Sequence, residues 1–311
     1  MSNSSSLLFL HAQTSIHLGS GSSVGVVDLP VMRERHTGWP IIPASSLKGV
    51  LRDKSRENAR VNHGNSRKKA NEEVGFVLAG FGPGKVDESS GHAGALTFTD
   101  ARILLYPVRS MKGIFAWVTC PGVLQRFNRD LKIADCQEIP LPHIVSANKA
   151  SVTSDKSPLL VTDPTAATKN QKLVLEEYDF TAESFCQELA NIVADAVFGD
   201  EYSKTKCKSS LVILNDDDFT HFVKNATEIS ARIALDYEKK TVKEGALFYQ
   251  EFLPAETVFY SAVLSSDSKY KDFLKTSTEL LGELKSLIDN KILQIGGDET
   301  TGKGLCRAKF N

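Results

Sequence analysis

Apolar residues alternate at Leu8, Leu10 and Ala12 and again at Ile16 and Leu18, the two-residue period of a strand with one apolar face. Gly19-Ser20-Gly21-Ser22-Ser23 ends that pattern. Beyond Pro43 the period lengthens. Leu47, Val50 and Leu51 make one stripe at helical spacing, while Lys48, Arg52 and Arg56 recur at four-residue steps on roughly the opposite side. Ser45 or Ser46 is placed to cap this helix with its hydroxyl. Strand patterns return from Ala95 to Tyr106 and from Ile114 to Cys120, and Pro121 then suits the first turn of a helix carrying Val123, Leu124, Phe127 and Leu131. The order strand, helix, strand, strand, helix is the beginning of a β-α-β-β-α-β unit, so the expected class is α+β with a ferredoxin-like (RRM-like) core.

The rest of the chain is less regular. Residues 61–71 and 81–94 are polar or rich in glycine and serine, and read as loops. Residues 138–172 are punctuated by Pro140, Pro142, Pro158 and Pro164, which suggests an irregular insertion. A helix is expected from Thr181 to Phe198 with Phe185, Leu189, Ile192, Val193 and Val197 on one side, then a short strand from Leu211 to Leu214. Asn215 and the acids Asp216, Asp217 and Asp218 suit the start of a helix near Phe219, as caps and dipole partners rather than metal ligands. Residues 229–250 have strand-like flanks around a charged centre with Lys239, Lys240 and Lys243, the pattern of a long hairpin with a polar tip. A strand from Phe259 to Leu264, a helix from Tyr270 to Ile288, and strands at 292–295 and 305–310 complete the expectation. The whole of 1–311 reads as one elaborated domain.

With 41% hydrophobic residues the chain can bury a sizeable core, and a net charge of -1 announces no polyanionic partner. The local balance differs. From Arg33 to Lys69 there are ten Lys and Arg against Glu34, Asp53 and Glu57, a net of 10 − 3 = +7. Five cysteines without a C-x-x-C pair read as reduced thiols. No apolar run is long enough for a signal sequence or a membrane span, so a cytoplasmic location is expected.

The chemistry-bearing residues crowd into 27–53. Asp28 precedes Pro30, whose ring disfavours helix before it and leaves the carboxylate on an extended or turning segment. Arg33 and Arg35 make its surroundings cationic, and Lys48 and Arg52 follow on a helix face suited to phosphate. His17 lies just ahead of the loop and could approach Asp28. Near the C-terminus, Gly297-Asp298-Glu299-Thr300-Thr301-Gly302-Lys303-Gly304 almost fits the P-loop pattern, but Gly304 stands where the magnesium-binding hydroxyl belongs and too little chain follows for the helix.

Pro43-Ala44-Ser45-Ser46-Leu47-Lys48-Gly49-Val50-Leu51-Arg52 resembles the signature of the RAMP proteins of CRISPR effector complexes. Asp28-Leu29-Pro30, Arg33-Glu34 and Thr37-Gly38-Trp39-Pro40 narrow the resemblance to the repeating backbone subunit of type III-B (Cmr) complexes. Ala44 departs from the glycine often found there. The resemblance implies a subunit that forms filaments of its own copies with other Cmr complex subunits, binds guide RNA and cleaves target RNA at the Asp28 loop. It further implies that a divalent cation (Mg2+ or Mn2+) is linked to Asp28 and that His17, Tyr249 and Glu251 lie near the reaction. Guide-RNA phosphates would meet Ser45, Ser46, Lys48, Arg52 and Arg56, and also the glycine-rich loop with Gly296, Gly297, Thr301, Gly302, Lys303 and Gly304. The 229–250 hairpin corresponds to the family's thumb. Two other functions stay open on these residues: a scaffold that binds RNA without cutting, and a monomeric nuclease that processes precursor guide RNA.

Overall fold

The computed structural model describes residues 4–22, 27–60, 74–84, 91–142, 145–162, 171–243 and 246–311. All of the loop expected at 61–71, part of the one at 81–94 and part of the 138–172 insertion therefore lie outside the described residues. The strands are β1 (Ser4–Ala12), β2 (Ile41–Ile42), β3 (Leu96–Phe98), β4 (Ala101–Arg109), β5 (Phe115–Thr119), β6 (Lys149–Val152), β7 (Leu160–Thr162), β8 (Gln171–Leu175), β9 (Tyr178–Phe185), β10 (Leu211–Ile213), β11 (Glu228–Arg232), β12 (Phe248–Phe252), β13 (Val258–Ser265), β14 (Ile292–Gln294) and β15 (Leu305–Phe310). The helices are α1 (Ala44–Arg60), α2 (Gly75–Phe81), α3 (Pro121–Ile133), α4 (Gln187–Val197), α5 (Glu201–Ser210), α6 (Asp216–Asn225) and α7 (Ser277–Ile288). The architecture is α+β around one large sheet. Among the described residues no helix is long and apolar enough to cross a membrane.

The sheet runs β14-β15-β1-β13-β4-β5-β10-β6-β9-β8-β7, with β2 on β4 and β3 on β13. β1 lies inside it, antiparallel to both β13 and β15. Leu7, Leu8, Phe9 and Leu10 are all buried, so the strand has two apolar faces and ends at Ala12 rather than one face running on to Leu18. Ile16 instead exchanges two backbone hydrogen bonds with Leu253, both 2.9 Å. The strand expected over 95–106 is divided into β3, which pairs with β13, and β4, which pairs with β5; the strand that joins β1 to this pair is β13, with β4 next and β5 beyond. β13 is buried along almost its whole length and so needs a hydrogen-bonded neighbour on each side.

Two helices start later than their apolar spacing suggests. Residues 178–185 form β9, parallel to β6 and antiparallel to β8, so Phe185 is 62% exposed and α4 begins at Gln187. Helix α7 begins at Ser277, where Thr276 and Glu279 form a reciprocal capping box, and Leu274 before it is 73% exposed. The 138–172 segment is less irregular than its prolines suggest, since β6 pairs with both β10 and β9 in the sheet. The 229–250 pattern is a two-stranded sheet of its own, β11 against β12, outside the main sheet. Beyond these strands Ile233, Leu235, Tyr237 and Val242 are half or more exposed, and a turn from Asp236 to Thr241 carries Lys239 and Lys240.

Candidate active site

β12 is the element on which the predicted site residues converge. The Asp28 loop lies parallel to it: Leu29 N donates to Tyr249 O (3.1 Å) and Glu251 N donates to Leu29 O (3.0 Å). That pairing places Asp28 beside Tyr249, whose amide donates to Asp28 Oδ2 at 2.7 Å. Oδ1 accepts no hydrogen bond among the described residues. One carboxylate oxygen is thus fixed and the other open, next to a tyrosine that is 41% exposed.

His17 approaches β12 from the other partner of its backbone. Its Nδ1 lies 2.7 Å from Glu251 O, a carbonyl that can only accept, so Nδ1 carries a proton and donates it there. The ring is buried, packs 5.6 Å from Phe252, and has Gly19 against Nε2. No hydrogen bond among the described residues joins His17 to Asp28; both are bonded to β12 instead. His17 ties strand and loops together.

Glu251 also turns inward. It is buried, with Oε2 accepting from Val31 N at 2.9 Å and Oε1 from Arg33 at 2.6 Å. Arg33, expected to make the surroundings of Asp28 cationic, is held inside by this ion pair and donates further to Gly38 O (3.0 Å) and Val223 O (2.8 Å). Arg35 remains exposed. Glu34 pairs in the opposite direction, with both oxygens on Arg126 and Thr37 Oγ1 at 2.7 Å. Burial would push the Glu34 carboxyl up, but the hydrogen bonds from Arg126 and Thr37 and the nearby positive charge outweigh it and hold the group below its ordinary range.

The basic helix is only partly as expected. α1 starts at Ala44, with Leu47 N bonded to Pro43 O at 3.0 Å, so neither Ser45 nor Ser46 is its cap. Asp100 takes the first amide instead, Ala44 N donating to Oδ1 at 2.7 Å. Ser45 and Ser46 sit exposed in the first turn, where backbone amides lack helical acceptors and the helix dipole favours an anion. Lys48 has no partner among the described residues. Burial, followed by the charge of Arg52, lowers its pKa. Arg52 donates to Gly82 O at 2.9 Å and Arg56 to Asp53 at 2.8 Å. Both are therefore engaged within the chain, and Arg56 lines a groove of about 530 Å³ shared with Gln294 and Glu299.

The glycine-rich loop departs most from expectation. Five of its amides are turned inward: Gly297 N donates to His17 O (2.9 Å), Thr301 N and Lys303 N to Asp298 O (3.0 and 3.2 Å), Gly302 N to Glu299 O (2.9 Å), and Gly304 N to Ser15 O (2.9 Å). They are not available to phosphate. Gly296 and Gly304 have positive φ, and a Cβ there would lie 2.3 Å from His17 O and 2.2 Å from Ile295 O, so glycine is required by packing. Lys303 Nζ sits 3.2 Å from Ser15 Oγ and 4.9 Å from the Phe252 ring centroid. Sequence reasoning missed Gln250 and Arg232, which hold Asp298 by a hydrogen bond and a 3.7 Å ion pair. A polar Gln250 within the pattern of β12 was the one local sign of it.

A larger groove of about 560 Å³ contains none of the predicted site residues. Glu176, Glu177, Glu228 and Glu256 line it against a single Arg109, a balance that repels phosphate.

A sequence profile of the RAMP superfamily matches residues 9–307. The CRISPR system Cmr endoribonuclease Cmr4 of Pyrococcus furiosus is 36% identical over 304 residues, 97% of this chain and 94% of that protein. The chain belongs to the RAMP superfamily, in its Cmr4 family. Among solved structures, oligomeric Cmr4 from Pyrococcus furiosus superimposes on this RAMP chain with a TM-score of 0.68 at 29% identity, covering 99% of this chain and 97% of that one. A chain of the type III-B Cmr-beta complex bound to cognate target RNA shares the fold, with a TM-score of 0.70 at 22% identity over 98% of this chain and 96% of that one. The α+β reading with a large central sheet agrees with the Pyrococcus structure.

Proposed function

We propose that this RAMP chain is a backbone subunit of a type III-B CRISPR effector complex, which assembles with copies of itself and other Cmr complex subunits along a guide RNA and cuts paired target RNA. The observation that carries the reading is Asp28: a carboxylate locked on β12 by one oxygen, open at the other, beside exposed Tyr249 and at the base of an exposed, lysine-bearing hairpin. The Cmr4 relative's name as an endoribonuclease and the oligomeric Cmr4 structure support it. Four adjacent antiparallel strands in the order β15-β1-β13-β4, with α1 following β1 and α7 following β13, support a ferredoxin-like palm. The hairpin is its thumb, and 1–311 one RAMP domain.

The described residues contain no group of three His, Cys, Asp or Glu that could cage a metal ion. Asp28 is the residue that would hold a largely hydrated Mg2+ or Mn2+, since such ions bind through one or two carboxylates plus substrate oxygens. When bound, that ion supplies positive charge at the scissile phosphate. The chain's own part is positional. Tyr249 N orients Asp28, His17 fixes β12 to the loop that follows β1, and Lys48 with the first-turn amides of α1 offers phosphate contacts whose strength depends on salt.

Asp28→Ala in the assembled complex is expected to slow target cleavage by about 10³-fold while guide binding and assembly persist, because an open loop carboxylate contributes chemistry and little packing. Denaturing gels of end-labelled target, with affinity measured alongside, test this. Cleavage at the wild-type rate would remove Asp28 from the reaction.

A further inference from the structure

We propose that Arg33 is a positioning residue for cleavage, acting through Glu251, and that Glu251 serves the reaction by holding Arg33 and Val31 rather than by exchanging a proton or binding an ion. The inference rests on the assignment of cutting to the Asp28 loop. Three segments meet at the Arg33 guanidinium: β12 through Glu251 Oε1 (2.6 Å), the turn at Gly38 O (3.0 Å), and the last turn of α6 at Val223 O (2.8 Å). The Glu251 carboxylate is occupied at both oxygens, by Val31 N and by Arg33, and is buried. Both oxygens are thus turned to partners inside the chain rather than presented at the surface.

The consequence for Asp28 follows from register. Val31 and Arg33 are three and five residues after Asp28, and Glu251 is two residues after Tyr249, whose amide orients Asp28. The hydrogen bond to Tyr249 and the Glu251 pair are thus two rungs between the same loop and the same strand. Leu29 makes the backbone bonds between them. With one rung removed, the loop can swing about the other, and a shift of about 1 Å at a reacting group can cost 10²-fold in rate. Only an arginine spans the three acceptors, since a lysine offers a point charge instead of a planar fork.

Glu34 reinforces the clamp from the next position. Its carboxylate holds Arg126 of α3, and Arg126 lies 5.2 Å over the Trp39 ring, whose Nε1 donates to Thr220 of α6 at 2.8 Å. The Arg33-Glu34 pair so fixes 31–40 against β12, α3 and α6.

The experiment compares Arg33→Ala, Arg33→Lys, Glu251→Ala, Glu251→Gln and Asp28→Ala in assembled complex. Single-turnover target cleavage, target affinity and the pH profile of cleavage are read for each. Arg33→Ala and Glu251→Ala are expected to slow cleavage by about 10²-fold each, and no further when combined, with target affinity unchanged. Arg33→Lys, which keeps the buried cation and favours assembly, should lose about tenfold. Glu251→Gln keeps an acceptor for Arg33 or Val31 and should cut within about fivefold of wild type with the same pH profile. Glu251→Gln as inactive as Asp28→Ala would make Glu251 a reacting group and overturn the proposal, as would wild-type cleavage by both Arg33 variants. Full cleavage by Asp28→Ala would instead remove the underlying reading and is scored separately.

Discussion

Two loops are tied to β12, one carrying Asp28 and the other the glycine-rich run at 296–304, and they put the same strand to opposite uses. The Asp28 loop uses backbone pairing and the Glu251–Arg33 ion pair to leave one carboxylate oxygen open. The glycine-rich loop closes on itself and on residues 15–17, and Gln250 and Arg232 hold its Asp298. A glycine-rich sequence is compatible with a phosphate cradle and equally with a close backbone crossing, and only the direction of the amides separates the two. Here five of them point inward. The difference teaches that the first loop presents chemistry and the second holds the frame in which it is presented.

The sharpest way to break this contrast is Gly296→Ala. A Cβ would lie 2.3 Å from His17 O on backbone at φ 89°, so strain and clash together should destabilise the chain by about 1–3 kcal/mol. A lowered melting temperature with lost cleavage is expected. Unchanged melting with weakened guide binding would return the loop to the role of phosphate cradle.

A smaller effect separates the two lysines. Lys48 has no partner among the described residues, whereas Lys303 already meets Ser15 and Phe252. Lys48→Ala should lower the salt dependence of RNA affinity by about one unit of log–log slope, and Lys303→Ala by clearly less. Titrations at several salt concentrations measure both, and equal slopes for the two variants would erase the distinction.

The smallest effect concerns the support of the Asp28 loop. The Glu34 carboxyl is held below its ordinary value of 4.5, chiefly because Arg126 and Thr37 outweigh burial. As pH falls the unfolded chain takes up the proton first, so the stability contributed is fully present above pH 4.5 and disappears below it. The melting difference between wild type and Glu34→Gln should be constant near neutrality and shrink in acid. A difference that grows in acid would contradict the pairing.

Much of the fold was legible because it is locally encoded. Pro121 begins α3, Asn215 caps α6 with its side chain on Asp218 N, and the exposed hairpin follows its own alternation. The misreadings share a cause in partners distant along the chain. Phe185 has helical spacing with Leu189, yet β6 captures it for a strand; the cap of α1 comes from Asp100, and the neighbour of β1 is β13. The site shows the same division. Asp28 was visible from its proline and its signature, but the inward turn of Arg33 was not, because its partner Glu251 lies 218 residues away.

Each copy should carry a complete cutting site, since Asp28, Tyr249 and the clamp behind them all come from one chain. Complexes assembled from mixtures of wild-type and Asp28→Ala chains test this claim most directly, read as band intensities along a gel of end-labelled target RNA. Every band is expected to fall in proportion to the wild-type fraction, at unchanged positions. Intensities that follow the square of that fraction would mean that two copies share one site, and intensities independent of it would mean that the cut is made elsewhere.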